Sequence, residues 1–371
     1  MRIEEFQMER MQSTWENLVD YDLSESGVRP LSMGDLVQLG FDISAVMDMP
    51  LGYSQSNGTT ELKERIAALY PGATTEQVEV TNGTSEANYL VALSQLRDGD
   101  QFALEVPNYM QLWGLPRSLN ATVNTFALRY ENGWEPDWEE FERAVNPDTR
   151  LVYISHPNNP TGKVLSREAT DRIVARCEET GSWLLSDEVY LGAEIDRPRT
   201  HSLWGTSDRV IVTSGLSKAY GIPGIRVGWI VGPPEFVAEC WSQHDYITIG
   251  PNKLSDIMAR TAVEQNNREK LYDRTQKILR ENLPILKQWV DSFDGMLELR
   301  DPDAGALAMV KYRGDIPSIE LCTSIRENQS TLIVPGKQLG LEGFVRIWTG
   351  GRPEYLTAGL ARVESEMRKL L

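Results

Sequence analysis

Cysteine is scarce in this chain of 371 residues: Cys177, Cys240 and Cys322 are odd in number, widely spaced and form no C-x-x-C. That argues against a disulfide framework or a zinc knuckle and favours a reducing compartment. Histidine is equally rare. His156, His201 and His244 show no metal-ligand spacing and no H-E-x-x-H, so no metal site is expected. A Walker phosphate loop, a G-x-S-x-G elbow and a G-x-G-x-x-G fingerprint are also missing. No apolar run reaches the roughly 18 residues of a membrane helix. The opening Met1-Arg-Ile-Glu-Glu-Phe6 carries charges where a signal peptide needs an apolar stretch, so a cytoplasmic protein is expected. Positive charge is the minority, 37 Lys and Arg against 54 Asp and Glu, for a net charge of −17. Such a surface repels phosphate backbones and anionic lipid, which speaks against nucleic-acid or membrane partners.

What is present is an ordinary globular composition, 41% hydrophobic and 25% charged, long enough for two domains. From Gln77 to Val231, short β-branched runs alternate with longer periodic segments. Strands are predicted at Gln77–Thr81, Phe102–Val106, Thr122–Phe126, Leu151–Ser155, Trp183–Ser186, Val210–Thr213 and Val227–Val231, with helices at Ser85–Leu96, Trp138–Val145 and Arg167–Thr180. This alternation implies an α/β fold with a mostly parallel central sheet, covered on both faces, whose ligands sit beyond the carboxyl ends of the strands. After Val231 long helices at about Lys253–Gln265 and Arg268–Phe293 precede strands at Met296–Leu299, Leu307–Tyr312, Thr331–Val334 and Val345–Trp348 and a closing helix near Pro353–Leu370. We therefore expect a large domain over 46–265, a smaller α+β domain over 266–371, and an amino-terminal arm over 1–45 packing on the latter.

Three polar segments fall at predicted strand ends. His156-Pro-Asn-Asn-Pro-Thr-Gly162 follows one strand, Asp187 closes the next, and Lys218 in Thr213-Ser-Gly-Leu-Ser-Lys218 follows a third. A lone lysine is usually a solvated charge. Polar groups at the ends of neighbouring parallel strands, however, can converge on one ligand. Together with Asp187-Glu-Val-Tyr190, Gly224-Ile-Arg226-Val-Gly228 and the late Phe344-Val-Arg346-Ile-Trp348, these motifs resemble the pyridoxal-phosphate enzymes of fold type I, and within them the class I/II aminotransferases.

The resemblance assigns roles residue by residue. Lys218 matches the lysine joined to the cofactor's aldehyde, for which a primary amine is required, and nearby cations such as Arg226 are expected to lower its pKa. Asp187 matches the partner of the pyridine nitrogen, although an isolated aspartate there would read as a turn cap. Asn159 and Tyr190 match the pair on the ring's 3′ oxygen, and Tyr109 the aromatic stacked on the ring. Gly83, Thr84 and Ser85, at a helix start, would receive the phosphate on backbone N–H groups, with Ser217 and Arg226 completing the cup. Many relatives carry a hydroxyl residue three before the lysine, whereas here that position is Gly215, with Ser214 one step off. Tyr53, ahead of Gly58, matches the tyrosine that reaches the neighbouring subunit's phosphate, which implies a homodimer with shared sites. Arg346 matches the grip on the substrate α-carboxylate, and Gly27 the glycine whose backbone lines the substrate side.

This cofactor shell serves several reactions. The first expectation is an aminotransferase moving an amino group between an L-amino acid and a 2-oxo acid. The alternative, suggested by Leu23-Ser-Glu-Ser-Gly-Val28 and the Lys218 stretch, is a lyase or β-replacement cyclase on an arginine-like amino acid, as in the subgroup containing capreomycidine synthase. Glu25 could then pair with a cationic side chain, its bland alternative being a solvated loop glutamate; Arg29 would serve a dicarboxylic substrate instead.

Overall fold

In the computed structural model, which describes residues 2–371, the expected runs become an eight-stranded sheet. Its order is Val78–Thr81, Gly228–Val231, Val210–Gly215, Trp183–Asp187, Thr149–Ser155, Gln101–Val106, Thr122–Arg129 and Glu135–Pro136. The five strands from Val210–Gly215 to Thr122–Arg129 pair in parallel throughout. Gly228–Val231 runs antiparallel to both neighbours, and Glu135–Pro136 antiparallel to Thr122–Arg129.

Side-chain alternation explains why these runs are apolar almost throughout. Phe102, Leu104, Ile211 and Ile230 enter one buried cluster with Leu90 and Val91 of helix Thr84–Gln95. Ala103, Val210, Val212, Trp229 and Val231 enter the cluster on the opposite face. The covering helices start and stop where local chemistry dictates. Ser166 caps Arg167–Thr180 by accepting from Ala169 N, and Gly181 ends it in the left-handed region at φ 74°.

A separate antiparallel sheet, in the order Leu297–Leu299, Leu307–Tyr312, Phe344–Trp348 and Val334–Pro335, packs its own cluster around Leu286, Trp289, Phe293, Leu360 and Met367. Val345 and Ile347 point into that cluster, whereas Phe344 packs into the core of the large sheet. By the same alternation Arg346 faces the large sheet. Two expectations are corrected. Thr331–Val334 is not one strand: Thr331–Leu332 pairs in parallel with Tyr21–Asp22, and Val334–Pro335 joins the antiparallel sheet as its edge, where a proline without an N–H is tolerated. The amino-terminal segment divides its contacts, Leu23 entering the smaller cluster and Met8, Leu36 and Phe41 the larger one.

Candidate active site

Ser155, Asp187 and Thr213 are register partners on adjacent parallel strands, so the segments that follow them leave the sheet side by side. A cavity of about 290 Å³ opens there. It is lined by Lys218, Asp187, Asn159, Tyr190, Tyr109, Thr84, Ser85, Ser217, Arg226 and Glu25, ten of the residues singled out from sequence.

Lys218 Nζ donates to Ser26 Oγ at 2.8 Å. Burial alone pulls its pKa down, but the Glu25 carboxylate and Tyr190 outweigh burial and Arg346 and hold it above the ordinary value. The expected lowering by Arg226 is therefore corrected: the guanidinium turns instead to Pro223 O at 3.0 Å, and a carboxylate faces the amine. Asp187 is buried, and its Oδ2 accepts from Asn88 Nδ2 at 2.7 Å and Tyr153 OH at 3.2 Å. Burial raises its pKa against these hydrogen bonds, the Val189 amide and Lys218. A carboxylate in this setting gains from a cationic partner. Oδ1 also caps the turn through Val189 N at 3.1 Å, so the bland role and the functional one coexist.

The Asn82–Ser85 turn starts helix Thr84–Gln95, with Gly83 at φ 94°. A Cβ on Gly83 would overlap Arg226 Nη2, and one on Gly228 would overlap Gly83 C and Thr84 N. Only glycine permits these approaches. Thr84 Oγ1 and Tyr190 Oη are buried at the cavity without hydrogen-bond partners. Unpaired donors beside glycine-cradled amides at a helix N-terminus fit a phosphate and an oxygen-bearing ring. Arg226 Nη1 reaches Ser217 Oγ at 3.4 Å on the rim of this cup. Ser214 is outside it, because its hydroxyl donates to Glu188 O at 3.2 Å.

Gly83 borders the cavity through its turn without lining it, and Gly27, Arg346, Tyr53 and Arg29 lie outside the lining as well. Gly27 lies against Lys218, where an added Cβ would stand 3.5 Å from Lys218 Cδ. Arg346 is 1% exposed and sits behind the wall, with Nη1 on Asn159 Oδ1 at 3.1 Å, Nη2 on Ser24 O and Nε unpartnered. Tyr53 is 92% exposed and lines a different cavity, with Asn82, Thr248 and Gly250. Arg29 is exposed in an adjoining cavity that shares Glu25.

The cavity also holds residues the sequence reading missed: Glu9, Gln12 and Glu16, from helix Gln7–Trp15 and its C-cap. Their helical spacing was the available signal. Glu9 accepts from Tyr109 OH, and Phe6 packs edge-on against the Tyr109 ring at 5.0 Å. Burial together with Asp22, Glu25 and Glu9 raises the Glu16 pKa. Glu25 is not the solvated glutamate of the bland reading. Its Oε2 accepts from Ser26 N and Gly27 N, each at 3.0 Å. Burial pushes its carboxyl up, but Lys218, these amides and Arg346 outweigh it and hold it below the usual range.

Comparison with known proteins agrees with this geometry. A model of the family "Aminotransferase class I and II" matches residues 45–363. Capreomycidine synthase of Streptomyces vinaceus is 29% identical over 350 residues, covering 93% of this chain and 89% of its own length. A crystal structure of a PLP-dependent aminotransferase from Streptococcus suis superposes with a TM-score of 0.92 at 30% identity, covering 100% of this chain and 99% of that one. A PLP-dependent cyclase gives a TM-score of 0.90 at 26% identity, covering 100% and 98%. The chain belongs to the aminotransferase class I and II family, whose cofactor is pyridoxal phosphate.

Proposed function

We propose that the protein transfers an amino group between an L-amino acid and a 2-oxo acid, with Lys218 as the residue that carries the cofactor. The observation that supports this most is the meeting, in one cavity, of Lys218, a buried Asp187 and the glycine-lined turn before Thr84. When bound, the cofactor supplies an aldehyde for an amine and a protonated ring that draws electrons from the substrate Cα. Asp187 would keep the ring nitrogen protonated. Asn159 and Tyr190 would hold the ring hydroxyl, Tyr109 would pack on the ring, and Thr84, Ser85, Ser217 and Arg226, with the Gly83 turn, would hold the phosphate. The Lys218 amine, when free, would move the Cα proton. Arg346 fixes the substrate carboxylate, and the backbone at Gly27 closes the substrate side.

A second reading, cyclisation or elimination on an arginine-like amino acid, is favoured by the carboxylates of Glu9, Glu16 and Glu25 around the cavity and by the similarity to capreomycidine synthase and to a PLP-dependent cyclase. Under both readings, a cationic substrate side chain suits this lining. The deciding experiment incubates the purified protein with a panel of amino acids, with and without a 2-oxo acid, follows the cofactor's visible spectrum and identifies products by mass spectrometry. Amino transfer requires a 2-oxo acid product; a cyclised or eliminated product without need of acceptor selects the second reading.

The working unit in this proposal is a homodimer in which Tyr53 reaches the partner's phosphate cup. Exposed Met47, Leu51, Tyr53, Tyr246 and Ile249 supply apolar surface for a second copy. An active monomer in sedimentation would remove this part. The domains proposed are a large one over 46–265, a small one over 266–371 and an arm over 1–45; two separate cores support the division, although Leu271, Tyr272, Ile278 and Leu279 of the small domain's long helix pack into the larger core. Three buried free cysteines suit the cytoplasm.

A further inference from the structure

Behind the Asn82–Ser85 turn lies a buried ionic chain that the amino-transfer chemistry does not use. His244, the last residue of helix Pro234–His244, is fully buried. Its Nδ1 lies 2.8 Å from Glu79 Oε1, and its Nε2 lies 2.9 Å from Thr248 Oγ1 and 3.2 Å from Glu86 Oε2. The Thr248 hydroxyl donates to Glu86 Oε1 at 2.8 Å, so its oxygen is left to accept from Nε2. Both ring nitrogens thus face acceptors, as a charged imidazolium requires. Burial opposes that charge, but hydrogen bonds with Glu79 and Glu86 outweigh it and lift the His244 pKa to about 9.

Glu86 stands in the first turn of helix Thr84–Gln95. Its Oε2 accepts from Asn82 N at 2.5 Å and Asn82 Nδ2 at 3.0 Å, one residue before Gly83. A carboxylate here stabilises the helix N-terminus, yet it also competes with any bound anion for the same positive end.

We propose that His244 is a positioning residue for the cofactor phosphate: its imidazolium, shared between Glu79 and Glu86, offsets part of the Glu86 charge and leaves the Asn82–Ser85 turn better able to receive a dianion. This rests on the cofactor assignment above, and one titration separates the two. Apoprotein is titrated with pyridoxal phosphate and with pyridoxal, which lacks the phosphate, and binding is read by absorbance. Failure of the unmodified protein to bind pyridoxal phosphate removes the assignment and the proposal with it. Given binding, His244→Gln weakens pyridoxal phosphate about tenfold while leaving pyridoxal unchanged. Adding Glu86→Gln to that variant restores the preference, and Glu86→Gln alone keeps at least the original preference. Equal weakening of both ligands in His244→Gln, no weakening, or loss of preference in Glu86→Gln overturns the proposal. If His244→Gln does not fold, Glu86→Gln alone decides.

Discussion

Gly215 and Thr84 compete for one volume: a Cβ built on Gly215 would stand 2.5 Å from Thr84 Oγ1. The space a side chain at 215 would take is filled by the Thr84 hydroxyl, which has no hydrogen-bond partner. Thr84→Ala is expected to weaken cofactor binding by about 1.5–3 kcal/mol, the range for a hydrogen bond to a charged group, with little change in melting temperature. Gly215→Ala is expected to destabilise the fold by about 1–3 kcal/mol. Combining the two should not rescue stability, because Val227 O at 2.9 Å and Gly228 Cα at 3.1 Å would still meet the new methyl. Recovery in the double variant, measured by denaturant unfolding, would show that Thr84 alone excludes a side chain.

Lys218→Ala should abolish turnover and the lysine adduct fixed by borohydride. Peptide mapping of the reduced protein checks this directly. An adduct on another lysine in an active variant would refute the assignment.

Asp187→Asn keeps the shape of the buried group but removes the charge and leaves one oxygen in place of two, so it accepts from either Asn88 Nδ2 or Val189 N. Proton abstraction from Cα should slow by orders of magnitude while cofactor still binds. Stopped-flow half-reactions at an unchanged rate would exclude Asp187 from the ring nitrogen.

Glu25→Gln should raise KM for arginine-like and lysine-like substrates selectively, by about tenfold or more if the pair is shielded from water. It should also lower the Lys218 pKa, since the largest influence raising that pKa is Glu25. Titration of the apoprotein amine by its reaction with a lysine reagent reads the second effect. A preference for aspartate or glutamate in the same panel would transfer the side-chain contact to Arg29.

Glu105 offers a pH signature. It is fully buried, its Oε2 accepts from Ser155 N, Asn158 Nδ2 and Asn108 Nδ2, and its Oε1 has no partner. Burial, only partly offset by Ser155 and Asn158, pushes its carboxyl up to about 8 from an ordinary 4.5. Between those values the folded chain binds more protons than the unfolded one, so stability should fall as pH rises from about 4.5 to about 8. Melting temperatures across that window should decline less steeply in Glu105→Gln. An equal slope would assign the decline elsewhere.

The strand ends are legible because each is an apolar run followed by a polar residue, whereas Lys218, Asp187 and Asn159 stand out from such residues only through the resemblance of their motifs to the pyridoxal-phosphate enzymes. Arg346 is singled out by the same resemblance, and Val345 and Ile347 beside it mark only that its face of the strand differs from theirs. What local pattern does not carry is which distant segment folds over the site. Glu9 meets Tyr109, and Glu25 meets Lys218, only after the chain has closed on itself. The sign of the Lys218 shift was therefore misread, because a nearby arginine in sequence was weighed and a distant carboxylate was not. Gly215 likewise had no local explanation until Thr84 and Val227 were seen to fill its space.

The short stretch Ser24–Gly27 is bound from two sides. Arg346 and Trp348, on one strand of the small sheet, hold the carbonyls of Ser24 and Gly27, while the Ser26 hydroxyl between them accepts from Lys218. The stretch is thus a tether: any sliding of the strand Phe344–Trp348 against the large sheet drags Ser26 and Glu25 relative to the amine. The lysine's proton affinity is in this way tied to the relative placement of the two sheets, and under the proposed function a substrate carboxylate that drew Arg346 inward would alter the basicity of Lys218.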